Sequence, residues 1–136
     1  MIEKDVQQKL LKLASEARER SYSPYSHYSV GAALLTKDGS VYQGCNIENA
    51  SFTPTICAER TAFFKAIFDG VRDFSAIAVI GSGTLPAYPC GVCRQVMSEF
   101  CDGDFVIVTS NCDGSKVIVQ TLDDMLPHRF GPKDLL

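Results

Sequence analysis

Two short segments carry side chains whose types and spacing could do chemistry: Cys57-Ala58-Glu59-Arg60 and Pro89-Cys90-Gly91-Val92-Cys93. In the second, the cysteines stand three apart at the start of an expected helix, so both thiols can turn to one side. The helix end adds unpaired N–H groups and partial positive charge, which favour thiolate over thiol. A Cys-x-x-Cys pair by itself leaves a redox centre and half of a structural zinc site equally open. The first segment changes the balance. Cys57 also falls near a helix start, and Glu59 follows two residues later. Three thiolates leave one tetrahedral zinc position open, which marks a catalytic site. A carboxylate beside that position can move protons, and ligands plus base make a hydrolase.

Charge sets a further requirement. Zn²⁺ held by three thiolates is formally anionic, and an ionised Glu59 makes the site more so. Such a metal is a poorer Lewis acid than one bound by neutral imidazoles. Two helix N-termini can withdraw some of that charge. Arg60 can add hydrogen bonds to one or two thiolates. Outside this motif it would read as a surface arginine on an amphipathic helix.

The elements that must position these groups follow from periodicity. Residues 3–20 read as an amphipathic helix, with Val6, Leu10, Leu13, Ala14 and Ala17 at helical spacing. Pro24 breaks it. Val30 to Thr36 and Val41 to Cys45 read as strands of a hairpin, turned by Lys37-Asp38-Gly39-Ser40. A second helix is expected from Thr53-Pro54-Thr55 to about Phe68, with Thr55 as N-cap and Gly70 as stop. Ala76 to Ile80 has the continuous apolar character of a strand buried on both faces. A third helix runs from about Cys90 to Phe100, burying Cys93, Val96, Met97 and Phe100. Phe105 to Thr109 and Val117 to Thr121 add two strands. A short helix follows, because Thr121 and Asp124 have capping-box spacing. The order α-β-β-α-β-α-β-β-α predicts one mixed-sheet α/β domain over 1–136 with helices on both faces. The tail Leu126-Pro127-His128-Arg129-Phe130-Gly131-Pro132 is irregular.

Composition narrows the function classes. The 136 residues suit one core, and 46% hydrophobic with 21% charged residues is globular composition. A net charge of −3 without any Lys/Arg run argues against a polynucleotide partner. No apolar stretch is long enough for a bilayer, and the charged amino terminus lacks a signal-peptide core. Six cysteines without such a signal suit a reducing compartment. Cys45, Cys101 and Cys112 are isolated and expected to be small hydrophobes in or near the core.

Five ordered motifs resemble the cytidine deaminase family in its short, single-domain form with three cysteine ligands. They are residues 24–34 (Pro24 to Leu34), 44–50 (Gly44 to Ala50), 57–62 (Cys57 to Ala62), 89–95 (Pro89 to Gln95) and 126–132. The resemblance implies a three-layer α/β/α fold around a mixed five-stranded sheet. It also implies one zinc per chain on Cys57, Cys90 and Cys93, with hydroxide in the fourth position. Glu59 then moves protons between water, the ring nitrogen N3 and the departing amine. The Ala58 backbone is implied to bond the base edge, and Asn46 and Glu48 to hold the ribose hydroxyls. Without the family, Asn46 and Glu48 would read as a polar loop with local turn bonding. Phe130 is implied to come from a neighbouring subunit of a homotetramer and pack on the pyrimidine; on bare sequence it would cover its own core. Tyr28 stands where the family usually has Phe against the base, and its hydroxyl needs a partner or solvent. The expected substrates are cytidine and 2′-deoxycytidine, in cytoplasmic pyrimidine salvage. Two other readings remain. A non-catalytic zinc module would use Cys45, Cys101 or Cys112 as fourth ligand, and a thiol–disulfide enzyme would cycle Cys90 and Cys93.

Overall fold

A computed structural model describes residues 2–136. In chain order it contains α1 (Lys4–Arg18), β1 (Val30–Thr36), β2 (Val41–Cys45), α2 (Ala58–Phe68), β3 (Phe74–Gly81), α3 (Gly91–Phe100), β4 (Val106–Ser110), β5 (Val117–Thr121) and α4 (Leu122–Met125). The element order is the one periodicity predicts. Both hairpins turn on glycines in the left-handed region, Gly39 at φ 93° and Gly114 at φ 77°. The strands form one sheet in the order β2-β1-β3-β4-β5. β3 and β4 pair in parallel across the α3 crossover, and the other neighbours are antiparallel.

Alternation along the central strands divides the core in two. Ala33, Ala76, Ala78, Ile80, Val106 and Val108 face α1 through Leu10, Leu11 and Ala14. Ala32, Leu34, Ile77, Val79 and Ile107 face the opposite layer, where Ala62, Phe63 and Ala66 of α2 and Met97 of α3 cover them. The Phe63 ring packs edge-on against Phe74, centroids 5.1 Å apart. The three layers match the expectation, and their reason is the near-complete burial of β3.

The start of α2 departs from the prediction. The helix begins at Ala58, and its N-cap is Cys57, two residues beyond the expected Thr55. Ile56 is held extended by paired backbone bonds with Ile47, both 3.0 Å, so residues before Cys57 cannot coil. The Thr55 hydroxyl instead accepts the Asn49 N–H at 3.0 Å. The end of α2 is as predicted: Gly70, at φ 89°, closes it with Gly70 N–H to Ile67 O and Val71 N–H to Ala66 O bonds. On α3, Cys93, Met97 and Ser98 are buried, while Val96 and Phe100 are partly so. α2 also lies unusually close to β2. A Cβ on Gly44 would stand 2.4 Å from the Ala58 carbonyl oxygen and 2.6 Å from the Ala62 nitrogen. Only glycine lets the first turn of α2 settle there.

Candidate metal centre and substrate cleft

Two helix starts, that of α2 later than expected and that of α3 as expected, place the chemistry. Cys57 is the N-cap of α2 and Cys90 the N-cap of α3, both in extended conformation with no side-chain capping bond. Their thiols therefore project off two positive helix ends, and Cys93 joins them from the first turn of α3. The Cys57 and Cys90 sulfurs lie 3.7 Å apart, and the Cys90 and Cys93 sulfurs 3.6 Å apart. Sulfurs about 2.3 Å from a tetrahedral zinc stand about 3.8 Å from one another, so the donor set and its spacing fit Zn²⁺. Among the described residues these three are the only grouping of His, Cys, Asp and Glu able to hold a metal ion. Cys45, Cys101 and Cys112 are half-buried elsewhere, so no fourth cysteine completes a closed structural site.

Electrostatics around the sulfurs follow from the same geometry. Taken as side chains alone, the Cys57 thiol is lowered to about 5, chiefly by a hydrogen bond from Cys93, with Arg60 adding to it against burial. Cys93 is pushed up by donating that bond and by its own burial. The Arg60 guanidinium donates to the Cys57 sulfur at 3.5 Å, the contact expected from the motif. Burial works against its charge, but bonds to Cys57 and Cys93 hold the proton more tightly.

Glu59, in the first turn of α2, is 4% exposed. Burial raises its carboxyl to about 7, and the nearby Cys57 charge pushes the same way. It lies in a cleft of about 370 Å³ whose lining includes Cys57, Ala58, Cys90, Tyr28, Asn46 and Glu48. That volume is within the range of small-molecule sites. Seven of the residues singled out by sequence thus share one concavity. Cys93 lies behind it as the buried sulfur.

Asn46 and Glu48 sit past the end of β2 and are already bonded. The Asn46 Nδ2 donates to the Tyr28 carbonyl at 2.8 Å, and its Oδ1 accepts from Val30 N–H at 2.9 Å and from the Ser21 hydroxyl. Both acceptor sites are spent, so one amide N–H is left to give a ligand. The Glu48 carboxylate accepts from Tyr25 N–H at 2.9 Å, Ser26 N–H at 3.1 Å and the Ser26 hydroxyl. The Ser26 hydroxyl above all, and then those backbone bonds, hold its pKa below the usual carboxylate range. This bracing of the 21–30 segment was invisible to motif reading, because Asn46 and its partners lie 16–25 residues apart. Tyr28 is 39% exposed on the cleft wall, its phenol raised first by burial and then by the Glu59 charge. Phe130 is 59% exposed and outside the lining of its own chain's cleft, so it does not cover the core. Gln95 Nε2, at 2.8 Å, and the Ser98 hydroxyl, at 3.3 Å, both donate to its carbonyl, tying the tail to α3.

Known proteins share this arrangement over most of its length. Residues 4–109 match the sequence profile described as the cytidine and deoxycytidylate deaminase zinc-binding region. The cytidine deaminase of Sporosarcina psychrophila is 49% identical over 128 residues, covering 94% of this chain and 93% of that one. The cytidine deaminase of Halalkalibacterium halodurans is 51% identical over 128 residues, covering 94% and 96%. A crystal structure of cytidine deaminase from Burkholderia pseudomallei superposes with a TM-score of 0.87 at 47% identity, covering 90% of this chain and 98% of that one. With a zinc-compatible sulfur triad at two helix starts and identity of this extent, the chain belongs to the cytidine and deoxycytidylate deaminase family and is a hydrolytic deaminase.

Proposed function

We propose that the chain hydrolyses the 4-amino group of cytidine and 2′-deoxycytidine, giving uridine or 2′-deoxyuridine and ammonia. One observation carries this reading: three sulfurs at tetrahedral spacing stand beside a buried carboxylate in a cleft the size of a small molecule. The Cys57, Cys90 and Cys93 sulfurs would hold a zinc ion, which would supply Lewis acidity at the cleft floor. Glu59 takes a proton from the attacking water and delivers it to N3 as the water oxygen adds to C4. It then carries the second proton to the amine as the C4–N4 bond breaks, so water and cytidine become uridine and ammonia. Ala58, at the first position of α2, has a backbone N–H without an intrahelical partner, suited to the base edge. The uncommitted N–H of Asn46 and the remaining lone pairs of Glu48 suit ribose hydroxyls. The Tyr28 ring offers a face for the pyrimidine.

We extend the reading to the assembly. Phe130 is exposed and its backbone pinned, which suits insertion into a neighbouring copy's cleft in a homotetramer. Residues 1–136 act as one domain, since both core clusters share one sheet; Met1 lies outside the described residues. All six cysteines are free, which suits a reducing cytoplasm and a role in pyrimidine salvage. The deciding experiment follows absorbance with cytidine, 2′-deoxycytidine and 2′-deoxycytidine 5′-monophosphate, with and without a strong chelator. Turnover of both nucleosides that chelation abolishes is the expected result. Preference for the monophosphate, or turnover indifferent to chelation, rejects the reading.

A further inference from the structure

Behind the ring of Tyr28, the end of β3 has no side chain where one would normally stand. A Cβ built on Gly81 would lie 2.2 Å from the Tyr28 hydroxyl oxygen and 2.8 Å from Cζ, so the tip of the ring occupies that place. A Cβ on Gly83 would lie 3.3 Å from Cε1 of the same ring. The residue between them, Ser82, clamps the backbone next to Tyr28: its hydroxyl accepts Ser29 N–H at 3.0 Å, and its N–H donates to Ser29 O at 2.9 Å. On the other side, Asn46 Nδ2 holds the Tyr28 carbonyl at 2.8 Å. His27, at φ 57°, turns the chain immediately before the ring. Backbone and ring tip are thus held by separate parts of the fold. Val79, two residues before Gly81 on the same strand face, lines the cleft together with Tyr28 and Glu59. A ring pushed off Gly81 is displaced toward that cleft.

We propose that Gly81-Ser82-Gly83 is a cradle for Tyr28, and that Gly81 is a positioning residue whose missing side chain sets how far the Tyr28 ring intrudes on the substrate. The tyrosine hydroxyl and the glycine form a matched pair: the oxygen fills the volume that a methyl on residue 81 would fill behind a phenylalanine. Tyr28 is then specificity-determining through its depth, with its hydroxyl stored against the strand end. The proposal rests on the reading that this cleft takes the pyrimidine nucleoside.

The test is a cycle of four proteins: wild type, Gly81→Ala, Tyr28→Phe and the double variant, each assayed for kcat, KM for cytidine, zinc content and thermal midpoint. Gly81→Ala should raise KM about tenfold with kcat within about threefold and one zinc per chain retained. Tyr28→Phe supplies the reference background, in which the hydroxyl that meets a methyl on residue 81 is absent. The double variant should recover to within about fivefold of the wild-type KM. The contact of the new methyl with the Ala87 Cβ, 2.8 Å away, is common to both alanine variants and so drops out of their comparison. If Gly81→Ala fails to fold, an active, folded double variant carries the same conclusion. A wild-type KM in Gly81→Ala, or a double variant no better than it, overturns the cradle. An inert wild type sinks the function reading instead, and the thermal midpoints then decide whether Tyr28 and Gly81 are coupled.

Discussion

At the scale of single residues, the site resolves a conflict of charge. Three sulfurs and a carboxylate crowd one corner of the cleft, which would repel unless something offsets them. Arg60 contributes directly, through its bond to the Cys57 sulfur. Its buried Nε has no partner, and among the described residues its side chain forms no salt bridge. Glu59 is placed differently, within the apolar wall at the helix start, where burial favours its neutral form. A carboxylate that must both accept and return a proton gains from that setting. Glu59→Gln keeps the volume and removes the proposed proton shuttle. It should retain one zinc per chain by metal analysis and lose at least about 10²-fold in kcat. Near-normal turnover in that variant would take Glu59 out of the mechanism.

Helix ends are the elements that matter here. α2 and α3 both begin at a cysteine in extended conformation, and neither start has a side-chain cap. The orphan N–H groups and the positive ends of the dipoles are therefore left facing the sulfurs. The opposite case is α4, whose short turn depends on a full capping box: Thr121 Oγ1 accepts Asp124 N–H at 3.2 Å, and Asp124 accepts Thr121 N–H at 3.0 Å. Thr121→Ala should cost about 1 kcal/mol, read as a fall of about 4 °C in the thermal midpoint. The bond from the Thr121 backbone, then the one from its side chain, holds the Asp124 carboxyl below its usual range. A lowered folded value means stability that is present above the unfolded pKa and lost as pH falls through the folded one. The stability difference between wild type and Asp124→Asn should accordingly shrink as denaturant titrations move from neutral pH to about pH 3. A difference that holds constant with pH would show that the carboxylate charge is not what closes the turn.

For the whole molecule, metal and fold are linked, because the sulfurs come from two helices that pack on the same sheet face. Zinc binding only the assembled triad stabilises the folded state by mass action. Chelation should lower the thermal midpoint by several degrees and added Zn²⁺ should restore it; a midpoint blind to both would show that the ion does not bridge α2 and α3. Phe130→Ala should leave zinc content intact and raise KM, and sedimentation of that variant shows whether the tail also holds copies together. Much of this molecule was legible in the chain itself. The Asp38-Gly39 turn, apolar periodicity and the Thr121/Asp124 spacing are local, so the element order and the first hairpin followed from neighbours in sequence. The Cys90/Cys93 spacing was local too, whereas Cys57 joins that pair from 33 residues away. What the chain could not disclose depends on contacts between distant residues. Ile47 pairs with Ile56 and delays α2 until Cys57, turning that cysteine into a helix cap. Asn46 spends its oxygen on Val30 and Ser21, which leaves it a donor only. Gly44 falls inside an expected strand and Gly81 just past the end of another, and both become sites of close approach only when α2 and Tyr28 fold onto them. Backbone preference is decided within a few residues, whereas the room left for a side chain is decided by whatever packs against it.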